Sequence, residues 1–395
     1  MKIAYVSIHD STNIRSYSGT GYFIPKSLTY NGADVHYIGN LKTKPYIPEK
    51  INELFYWYIH KKIYWRNRQP RVIKNYARQI NKQLKNINPD VIVSFSGPAI
   101  AMLETDKPIV LWPDAVFGDI VDYYPEFTNM AQKTIRNGNK MEQSALDRCS
   151  HIIYSSDWAA NGAMKHYNIS KKKISVIPYG ANIETTWDTE TVEQKIQSKS
   201  YDHCNLLFVG VDWYRKGGSH AVQVAESLHN KGLKTELNIL GSTPDTKDKL
   251  PDYVNVHGFV SKETEDGKKL IHKLISNAHF LILPTRADCS PIVFAEFNSY
   301  GIPCLTTKVG GIPTLIKDGV NGKLFSFDAT PDDYAEYILS LFKDYTQYKT
   351  LARKSYQEYK KRLNWDVSSK KLFELLKQVI KNHQYEEHSY SYTRT

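Results

Sequence analysis

The sequence predicts an α/β protein with two Rossmann-like, doubly wound domains that face each other across a cleft. Three observations indicate this fold class. The chain has 395 residues, about twice the length of a typical domain. Its hydrophobic fraction of 41% and charged fraction of 24% are typical of a folded globular protein. Short β-branched segments alternate with amphipathic helical segments through both halves, as in parallel βαβ sheets.

The apolar segments that alternate with helical ones are predicted to be strands. Those of the first half are 2–7, 33–38, 90–95, 108–112 and 151–155, and those of the second half are 205–209, 235–240, 254–257, 279–283, 303–306 and 323–325. A polar segment poor in aliphatic residues, 185–203, is expected to join the halves. We therefore predict domains at 1–182 and 183–365, with a C-terminal helix and tail at 366–395 that cross back to the first domain.

The charge and the cysteines narrow the class of protein. The net charge of +11 favours an anionic partner, but it does not choose among nucleotide phosphates, an acidic acceptor, nucleic acid and anionic lipid. The four cysteines stand far apart, unlike the close pairs of zinc and redox sites, which fits a reducing compartment. The N-terminus is typical of a strand rather than a signal peptide, and no apolar run reaches the roughly 20 residues that cross a bilayer. A cytoplasmic location is expected.

The segment 279–303 is predicted to form a strand, a loop and a helix that ends at a glycine. Ser290 is expected to be the N-cap and Pro291 the first helical residue. The following amides, of Ile292 and Val293, would then face an anion at the positive end of the helix. This is a candidate phosphate site.

Two carboxylates bracket the candidate phosphate site. Asp288 precedes the predicted helix, and Glu296 lies about two turns into it. Because a carboxylate can accept hydrogen bonds from neighbouring hydroxyls, the pair suits ribose at one end and a hexose at the other. The alternative for Glu296 is a solvated helix residue, which its neighbours Phe294 and Phe297 make less attractive.

A basic loop follows the strand at 205–209. Arg215 and Lys216 lie in the loop that begins at Gly210, placed to neutralise a departing diphosphate. An Arg-Lys pair alone would be interpreted as an ordinary basic loop. Because the candidate phosphate site is also present, a diphosphate-binding role is preferred here.

Gly19, Thr20 and Gly21 open a helix in the first half, where a backbone can approach a ligand closely. A dinucleotide fingerprint would need a third glycine where Ile24 stands, and a tighter turn after the strand. We therefore do not predict an NAD site.

Together these motifs resemble glycosyltransferase family 4, whose retaining enzymes have the GT-B fold. The resemblance spans nearly the whole chain and includes the acidic pair eight residues apart. Its other elements are 176–180, Arg215-Lys216-Gly217, 301–311 and 318–322.

The resemblance implies an acceptor-binding first domain and a second domain that binds a nucleotide sugar. It implies contacts of Glu296 with the nucleotide ribose, Asp288 with the donor sugar, and Arg215 and Lys216 with the diphosphate. The loop of Gly258, Phe259 and Val260 would lie near the base. Retaining enzymes of this family need no dedicated base, because the donor phosphate can take the acceptor proton. No metal and no cofactor are expected.

Three positions depart from the family pattern. The first acidic residue is usually glutamate and is Asp288 here, the residue after Gly210 is often arginine and is Val211, and a frequent glutamate is replaced by Thr314. Many relatives also carry a histidine after the fourth strand. This chain has Asp114 near that position, which either contacts acceptor or sugar or caps a turn beside Pro113.

A basic and aromatic stretch runs from Phe55 to Lys85. On a helix, residues 71, 74, 78, 82 and 85 place cations on one face, and 73, 76, 77, 80 and 84 place apolar side chains on another. A surface helix packed on the sheet explains this spacing. It does not explain the lack of acidic residues from 60 to 85, which suits a membrane surface or an anionic acceptor and could also suit nucleic acid. Binding to a membrane or an acidic acceptor and simple packing on the sheet are equally compatible with this stretch.

The sequence thus predicts a hexosyltransferase that moves a sugar from a nucleotide diphosphate sugar to a glycan, lipid or small hydroxyl compound. A UDP-sugar is preferred to GDP-mannose as donor. The alternatives are a GT-B epimerase or phosphorylase, and a catalytically silent nucleotide-sugar-binding protein. No nucleic-acid partner is expected, because no recognisable binding module is present.

Overall fold

The computed structural model describes residues 1–14, 16–43, 46–183, 185, 187–244 and 249–392, with the backbone alone at 16, 18 and 386–392. The end of the predicted tail, 393–395, lies outside the described residues. The chain divides into two compact units. One unit contains Met1–Pro178 together with the residues from Trp365 onward, and the other contains Tyr179–Asn364.

The first unit is built on a six-stranded parallel sheet in the order β2-β1-β3-β4-β5-β6. Its strands are β1 Lys2–Val6, β2 Asp34–Ile38, β3 Val91–Ser94, β4 Ile109–Leu111, β5 His151–Tyr154 and β6 Ile174–Val176. The predicted strands are found within two residues of their predicted ends. The sixth strand was not predicted, because it is only three residues long and none of them is fully buried.

Eight helices belong to the described part of the first unit. They are α1 Thr20–Tyr30, α2 Ile47–Tyr58, α3 Pro70–Ile87, α4 Gly97–Ile100, α5 Phe117–Ile120, α6 Gln132–Arg148, α7 Asp157–His166 and α15 Trp365–Tyr392. The helix α15 packs on α1, where the rings of Trp365 and Phe23 stack at 6.1 Å. The side chain of Asn31 also donates to Ser369 at 2.7 Å. The residues from Trp365 onward therefore complete the first unit.

The second unit contains another six-stranded parallel sheet, in the order β12-β11-β10-β7-β8-β9. Its strands are β7 His203–Val209, β8 Lys234–Leu240, β9 Val254–Gly258, β10 Phe280–Leu283, β11 Cys304–Thr307 and β12 Gly322–Phe325. The four residues of β10 are fully buried, as expected for a central parallel strand covered on both faces.

The helices of the second unit surround this sheet. They are α8 Thr189–Ser198, α9 Gly218–Asn230, α10 Glu265–Asn277, α11 Ile292–Asn298, α12 Ile312–Leu315, α13 Pro331–Lys343 and α14 Tyr345–Arg362. The predicted junction at 185–203 lies inside this unit, because Val192 and Ile196 of α8 enter its core. The helix α8 was not predicted, because it buries only one narrow face and its sequence is therefore mostly polar.

The strand order determines where a site can form. Because parallel strands all end at one edge of their sheet, the loops after β7 and β10, which are neighbours, lie side by side. In the first unit the loops after β3 and β4 are neighbours in the same way. These two edges contain most of the residues predicted from the sequence to be functional.

Candidate functional site

The loop after β7 is tied to the loop after β10 at the edge of the second unit's sheet. The amide of Arg286 donates to the carbonyl of Arg215 at 2.7 Å, and the hydroxyl of Thr285 donates to the same carbonyl at 3.1 Å. These bonds fix the position from which the side chains of Arg215 and Lys216 extend.

Glycine is required where the first of these loops enters α9. Gly217 is the N-cap residue and has φ +77°, and a Cβ atom there would lie 2.1 Å from the carbonyl oxygen of Pro284. A Cβ atom at Gly210 would lie 2.8 Å from Cγ of Lys216. Both glycines therefore allow Lys216 to pack closely against the sheet edge.

The guanidinium of Arg215 is held from two sides. Its Nε donates to a carboxylate oxygen of Asp212 at 3.3 Å, and its Nη1 donates to the carbonyl of Ala287 at 2.9 Å. Asp212 also accepts from the amide of Arg215 at 2.9 Å. The cation is thus positioned by the loop itself before any ligand is present.

Lys216 and Asp288 form a nearly buried ion pair. The ammonium of Lys216 donates to Oδ2 of Asp288, and Nη1 of Arg215 lies 3.8 Å from the same oxygen. Only 13% of the Lys216 side chain and 9% of the Asp288 side chain are exposed. The structure therefore brings together the three residues that the sequence predicted for the diphosphate and the donor sugar.

Glu296 is buried in the middle of α11, and its carboxylate is paired with the ammonium of Lys262. The alternative of a solvated Glu296 is therefore wrong. Phe294 and Phe297 beside it are fully buried, as their spacing suggested. The sequence analysis missed Lys262, although this lysine follows the predicted base-binding loop by two positions.

The start of α11 differs from the prediction. Pro291 is the N-cap residue with extended ψ, the helix begins at Ile292, and the Ser290 hydroxyl is buried with no hydrogen-bond partner in the described part of the chain. Because Pro291 itself has an extended ψ of 109°, the first helical turn begins after it, and Pro291 rather than Ser290 occupies the capping position. The amides of Ile292 and Val293 still occupy the first turn, where no intrahelical acceptor exists.

The loop of Gly258, Phe259 and Val260 leaves β9 at the same sheet edge. Gly258 has φ +63°, and the ring of Phe259 is 71% exposed. A large exposed aromatic ring beside a strand end can stack on a planar base. Its predicted role stays a prediction.

A small cavity of about 60 Å³ lies beside Lys216 and includes Gly217, His220, Pro284 and Arg286 in its lining. Nε2 of His220 is buried with no hydrogen-bond partner among the described residues. Burial and the charge of Arg286 lower the pKa of His220, so its imidazole is neutral at physiological pH. The sequence analysis missed this residue. A larger cavity of about 590 Å³ lies between α9 and α13, away from the strand ends.

The glycine motif of the first unit lies at the start of α1, as predicted. Gly19 has φ +92° and is the N-cap residue, and Thr20 and Gly21 are buried in the first turn. The left-handed backbone at Gly19 explains the glycine without any ligand. A contact with the donor stays a prediction.

Asp114 is half-buried in the loop after β4. The preceding Trp112 is fully buried and donates through its indole N–H to the carbonyl of Ile177 at 3.1 Å. The two interpretations of Asp114, a ligand contact and a turn cap, both stay open.

Two charged side chains of the first unit lie at the same edge as Asp114, and only the structure shows them there. The Arg68 guanidinium lies 4.7 Å from the ring centre of Phe117, in the helix after β4, and its Nε is buried with no described partner. A Cβ atom at Gly97, in the helix after β3, would lie 3.3 Å from the Glu142 carboxylate. Burial raises the pKa of Glu142 to about 7, although the charge of Arg68 opposes this. The sequence signal that could have identified Glu142 is that an acidic residue stands on the buried face of α6.

Within the described residues, no group of three or more His, Cys, Asp or Glu side chains is arranged to hold a metal ion. Metal-independent transfer stays a prediction. The four cysteines are buried. In the described part of the chain, no helix has both the length and the apolar character that a membrane crossing requires.

Comparison with known families matches both parts of the chain. Residues 26–185 match the model described as Glycosyltransferase Family 4, and residues 203–344 match the model described as Glycosyl transferases group 1. The chain belongs to glycosyltransferase family 4. The family 4 resemblance of the sequence motifs is thereby confirmed.

Among curated proteins, this family 4 chain is 24% identical over 216 residues to D-inositol 3-phosphate glycosyltransferase of Paenarthrobacter aurescens, covering 53% of each chain. It is 22% identical over 243 residues to the gpi3 subunit of phosphatidylinositol N-acetylglucosaminyltransferase of Schizosaccharomyces pombe, covering 59% of this chain and 50% of that one. The chain thus spans about half the length of the curated relatives that it matches.

Solved structures confirm the GT-B fold of this family 4 member. Sucrose-phosphate synthase from Thermosynechococcus elongatus superposes with a TM-score of 0.69 at 14% identity, covering 97% of this chain and all of that one. The Anabaena protein HepE in complex with UDP superposes with a TM-score of 0.63 at 14% identity, covering 96% of this chain and all of that one.

Proposed function

We propose that this chain transfers a hexose from a nucleotide diphosphate sugar to a hydroxyl acceptor, with retention of anomeric configuration and without a metal ion. The observation that carries the proposal is the cluster of Arg215, Lys216 and Asp288 at the ends of neighbouring strands in a family 4 chain. It combines two cations for a diphosphate with a carboxylate for sugar hydroxyls.

The donor contacts follow from this cluster and its neighbours. Because Asp288 already accepts from Lys216, a bound diphosphate would share the ammonium with it, and the Asp288 carboxylate would also accept from the sugar hydroxyls. Arg215, positioned by Asp212 and Ala287, would supply its positive charge to the diphosphate. The amides of Ile292 and Val293 would contribute at the start of α11.

The ribose would occupy the space beside Glu296. Its hydroxyls would donate to the carboxylate, while the ion pair with Lys262 holds that carboxylate in place. A UDP-sugar is the preferred donor and GDP-mannose the second choice. The solved complexes of HepE with UDP and with UDP-glucose support this order by similarity of fold.

The reaction itself breaks the bond between the anomeric carbon and the diphosphate oxygen and forms a bond from the acceptor oxygen on the same face. The acceptor proton passes to the departing diphosphate, so no protein base is consumed. Negative charge grows on the diphosphate as the bond breaks. Lys216 stabilises this charge more strongly than water could, because its side chain is largely shielded from solvent.

The acceptor would bind at the strand ends of the first unit. Arg68 has an unsatisfied guanidinium N–H there, and Asp114 and Glu142 supply carboxyl groups at the same edge. An acceptor that combines hydroxyls with an anionic group, such as an acidic glycan or a phosphorylated alcohol, fits this set of side chains. A cytoplasmic location, at the inner face of a membrane when bound, is part of the proposal.

Release of nucleotide from a panel of UDP-sugars and GDP-mannose tests the proposal. The purified chain should release the nucleoside diphosphate from one donor. This release should be slow without an acceptor and faster when an acceptor is present. Lys216→Ala should lower turnover by about 10² to 10³, since losing one such stabilising group costs about 3 to 4 kcal/mol. The matched control is Lys231→Ala, which removes a lysine from the far end of α9.

Four results would count against the proposal. Donor binding without turnover would indicate a nucleotide-sugar-binding protein. Conversion of one donor sugar into another would indicate an epimerase, and sugar phosphate formed only with added phosphate would indicate a phosphorylase. Equal turnover of Lys216→Ala and Lys231→Ala would remove Lys216 from the site.

A further inference from the structure

The helix α2 carries an apolar stripe that no described element covers. Ile47, Ile51, Leu54, Phe55 and Tyr58 recur at the spacing of one helical face, and each is between 43% and 71% exposed. Monomeric soluble proteins rarely expose a contiguous apolar face of this kind without a partner. The stripe is therefore a candidate interaction surface.

The opposite face of α2 is anchored to the protein, so the exposure of the stripe is not that of a loosely attached helix. The ring of Tyr56 stacks on that of Tyr64 with centres 5.3 Å apart. The hydroxyl of Tyr64 donates to the buried carboxylate of Glu49. These contacts fix the orientation of α2, which points the stripe outward.

The charges around the stripe favour an anionic occupant. Residues 46–85 contain ten lysines and arginines but only two acidic residues, Glu49 and Glu53. Glu53 is paired with Lys50 at 2.9 Å and with Arg66 at 3.3 Å. Lys61 and Lys62 are exposed directly after the helix. Both carboxylates are thus occupied locally, and the remaining charge is positive.

The order of residues along α2 also matches a bilayer surface. Trp57 and Tyr58 lie at the end of the stripe next to the lysines, and 57% of Trp57 is exposed. Tryptophan and tyrosine prefer the boundary between headgroups and acyl chains, and lysines beside them reach lipid phosphates. A second copy of the chain would fit less well, since a two-fold contact would bring like charges together.

We infer that α2 lies in the plane of an anionic lipid surface, with its apolar stripe inserted among the acyl chains. The exposed basic face of α3 adds long-range attraction without inserting. The sequence analysis predicted lipid or acceptor binding by the stretch 55–85, whose cations at 71, 74, 78, 82 and 85 are exposed. The apolar surface suited to insertion is the stripe on α2, whose last residues belong to the same stretch.

Sedimentation with vesicles tests the inference, using phosphatidylcholine alone and mixed with phosphatidylglycerol. The chain should bind the anionic vesicles and bind the neutral ones weakly. The double variant Ile51→Gln/Phe55→Gln should lose roughly tenfold or more in affinity, because it removes the apolar surface that inserts. Tyr30→Gln/Tyr201→Gln removes two aromatic rings elsewhere that are more exposed than Ile51 and Phe55, and it should bind like the unaltered chain.

Two further measurements distinguish the contribution of surface charge to vesicle binding from that of insertion. The variant Arg71→Gln/Lys74→Gln/Arg78→Gln should bind more weakly at low salt and differ little at high salt, because screening removes long-range attraction. Tryptophan emission should shift to shorter wavelength when anionic vesicles are added, and Trp57→Phe should lose that shift.

The inference is overturned if Ile51→Gln/Phe55→Gln binds vesicles as well as the control does, or if the unaltered chain binds none. A stripe-dependent dimer in solution that prevents vesicle binding would identify a second copy as the occupant. Vesicle binding needs no sugar transfer, so its outcome is independent of the proposed activity. Nucleotide release without vesicles should be unchanged in all of these variants.

Discussion

Arg215, Lys216 and Asp288 were predicted from the sequence to bind one donor, and they do lie together because each belongs to a loop that follows a parallel strand. The sequence could not show that Asp288 pairs with Lys216, nor that Glu296 pairs with Lys262. Those pairings depend on how two loops approach each other. The buried Glu142 was missed for the same reason, since its neighbours come from distant segments.

Asp288→Asn should lower turnover by about 10-fold to 150-fold, because a charge-assisted hydrogen bond contributes roughly 1.5 to 3 kcal/mol. UDP affinity should not fall, since the variant releases Lys216 from its carboxylate partner. Asp288→Glu should change preference among donor sugars more than it changes UDP binding. Steady-state kinetics and calorimetric titration of UDP measure both effects. Full transfer activity in Asp288→Asn, or equal loss of UDP and sugar binding, would contradict the placement of the sugar.

Glu142 should make stability depend on pH. Burial raises its pKa to about 7, so the folded chain holds a proton there between about pH 4.5 and 7, where the unfolded chain has released it. The contribution to the free energy of unfolding is therefore fully present below the unfolded pKa and is lost as pH rises through that window. The loss amounts to at most about 3 kcal/mol.

Glu142→Gln cannot titrate and should show a flatter pH profile. Urea unfolding of both chains at pH 5 and pH 8 measures the difference. Gln also replaces the Glu142 carboxyl group that interacts with Arg68, which alters stability at both pH values. The informative quantity is therefore the change between the two pH values, and an identical change in both chains would contradict the raised pKa.

At the scale of single elements, periodicity predicted the longer strands and helices well, and their exact ends less well. The helix α11 begins one residue later than expected, because Pro291 itself has an extended backbone. The strand β6 was not predicted, because its three residues are all half-buried and show no alternation of buried and exposed positions. Local sequence decides the type of an element, and its neighbours decide where it stops.

Any side chain at Gly217, the N-cap residue of α9, should lower the free energy of unfolding. Gly217→Ala would combine left-handed strain of about 1 to 2 kcal/mol with a contact 2.1 Å from the Pro284 carbonyl. Gly232→Ala is the matched control, because Gly232 also has positive φ but no atom within 4 Å of its Cβ position. Urea unfolding should show a loss at Gly217 larger by about 1 to 3 kcal/mol. Equal losses would mean that the loop can move away from Pro284.

For the whole molecule, alternating strand and helix patterns in each half were sufficient to predict two sheets. The C-terminal helix was expected to cross back, and α15 does pack on the first unit through Trp365 and Ser369. The predicted domain boundaries, after residues 182 and 365, lie within four residues of the observed divisions after residues 178 and 364. The segment 185–203, which was expected to join the halves, lies inside the second unit.

A fragment of residues 179–364 should fold alone, because it contains one continuous chain segment with its own sheet and core. We expect a single cooperative urea transition and UDP affinity close to that of the full chain. Residues 1–178 alone should be less stable, because the surface of α1 loses α15. Circular dichroism and UDP titration check both fragments. An unfolded 179–364 fragment would show that the second unit depends on the first.

The return of α15 to the first unit has a consequence for synthesis on the ribosome. The first unit is begun first but completed last, because the residues that cover α1 are translated after the entire second unit. At about 5 to 20 residues per second, this delay is roughly ten to forty seconds. Throughout it, the apolar surface around Phe23 has no intramolecular cover. The nascent chain should therefore present a binding site for chaperones in its first half until Trp365 and the following turns have emerged.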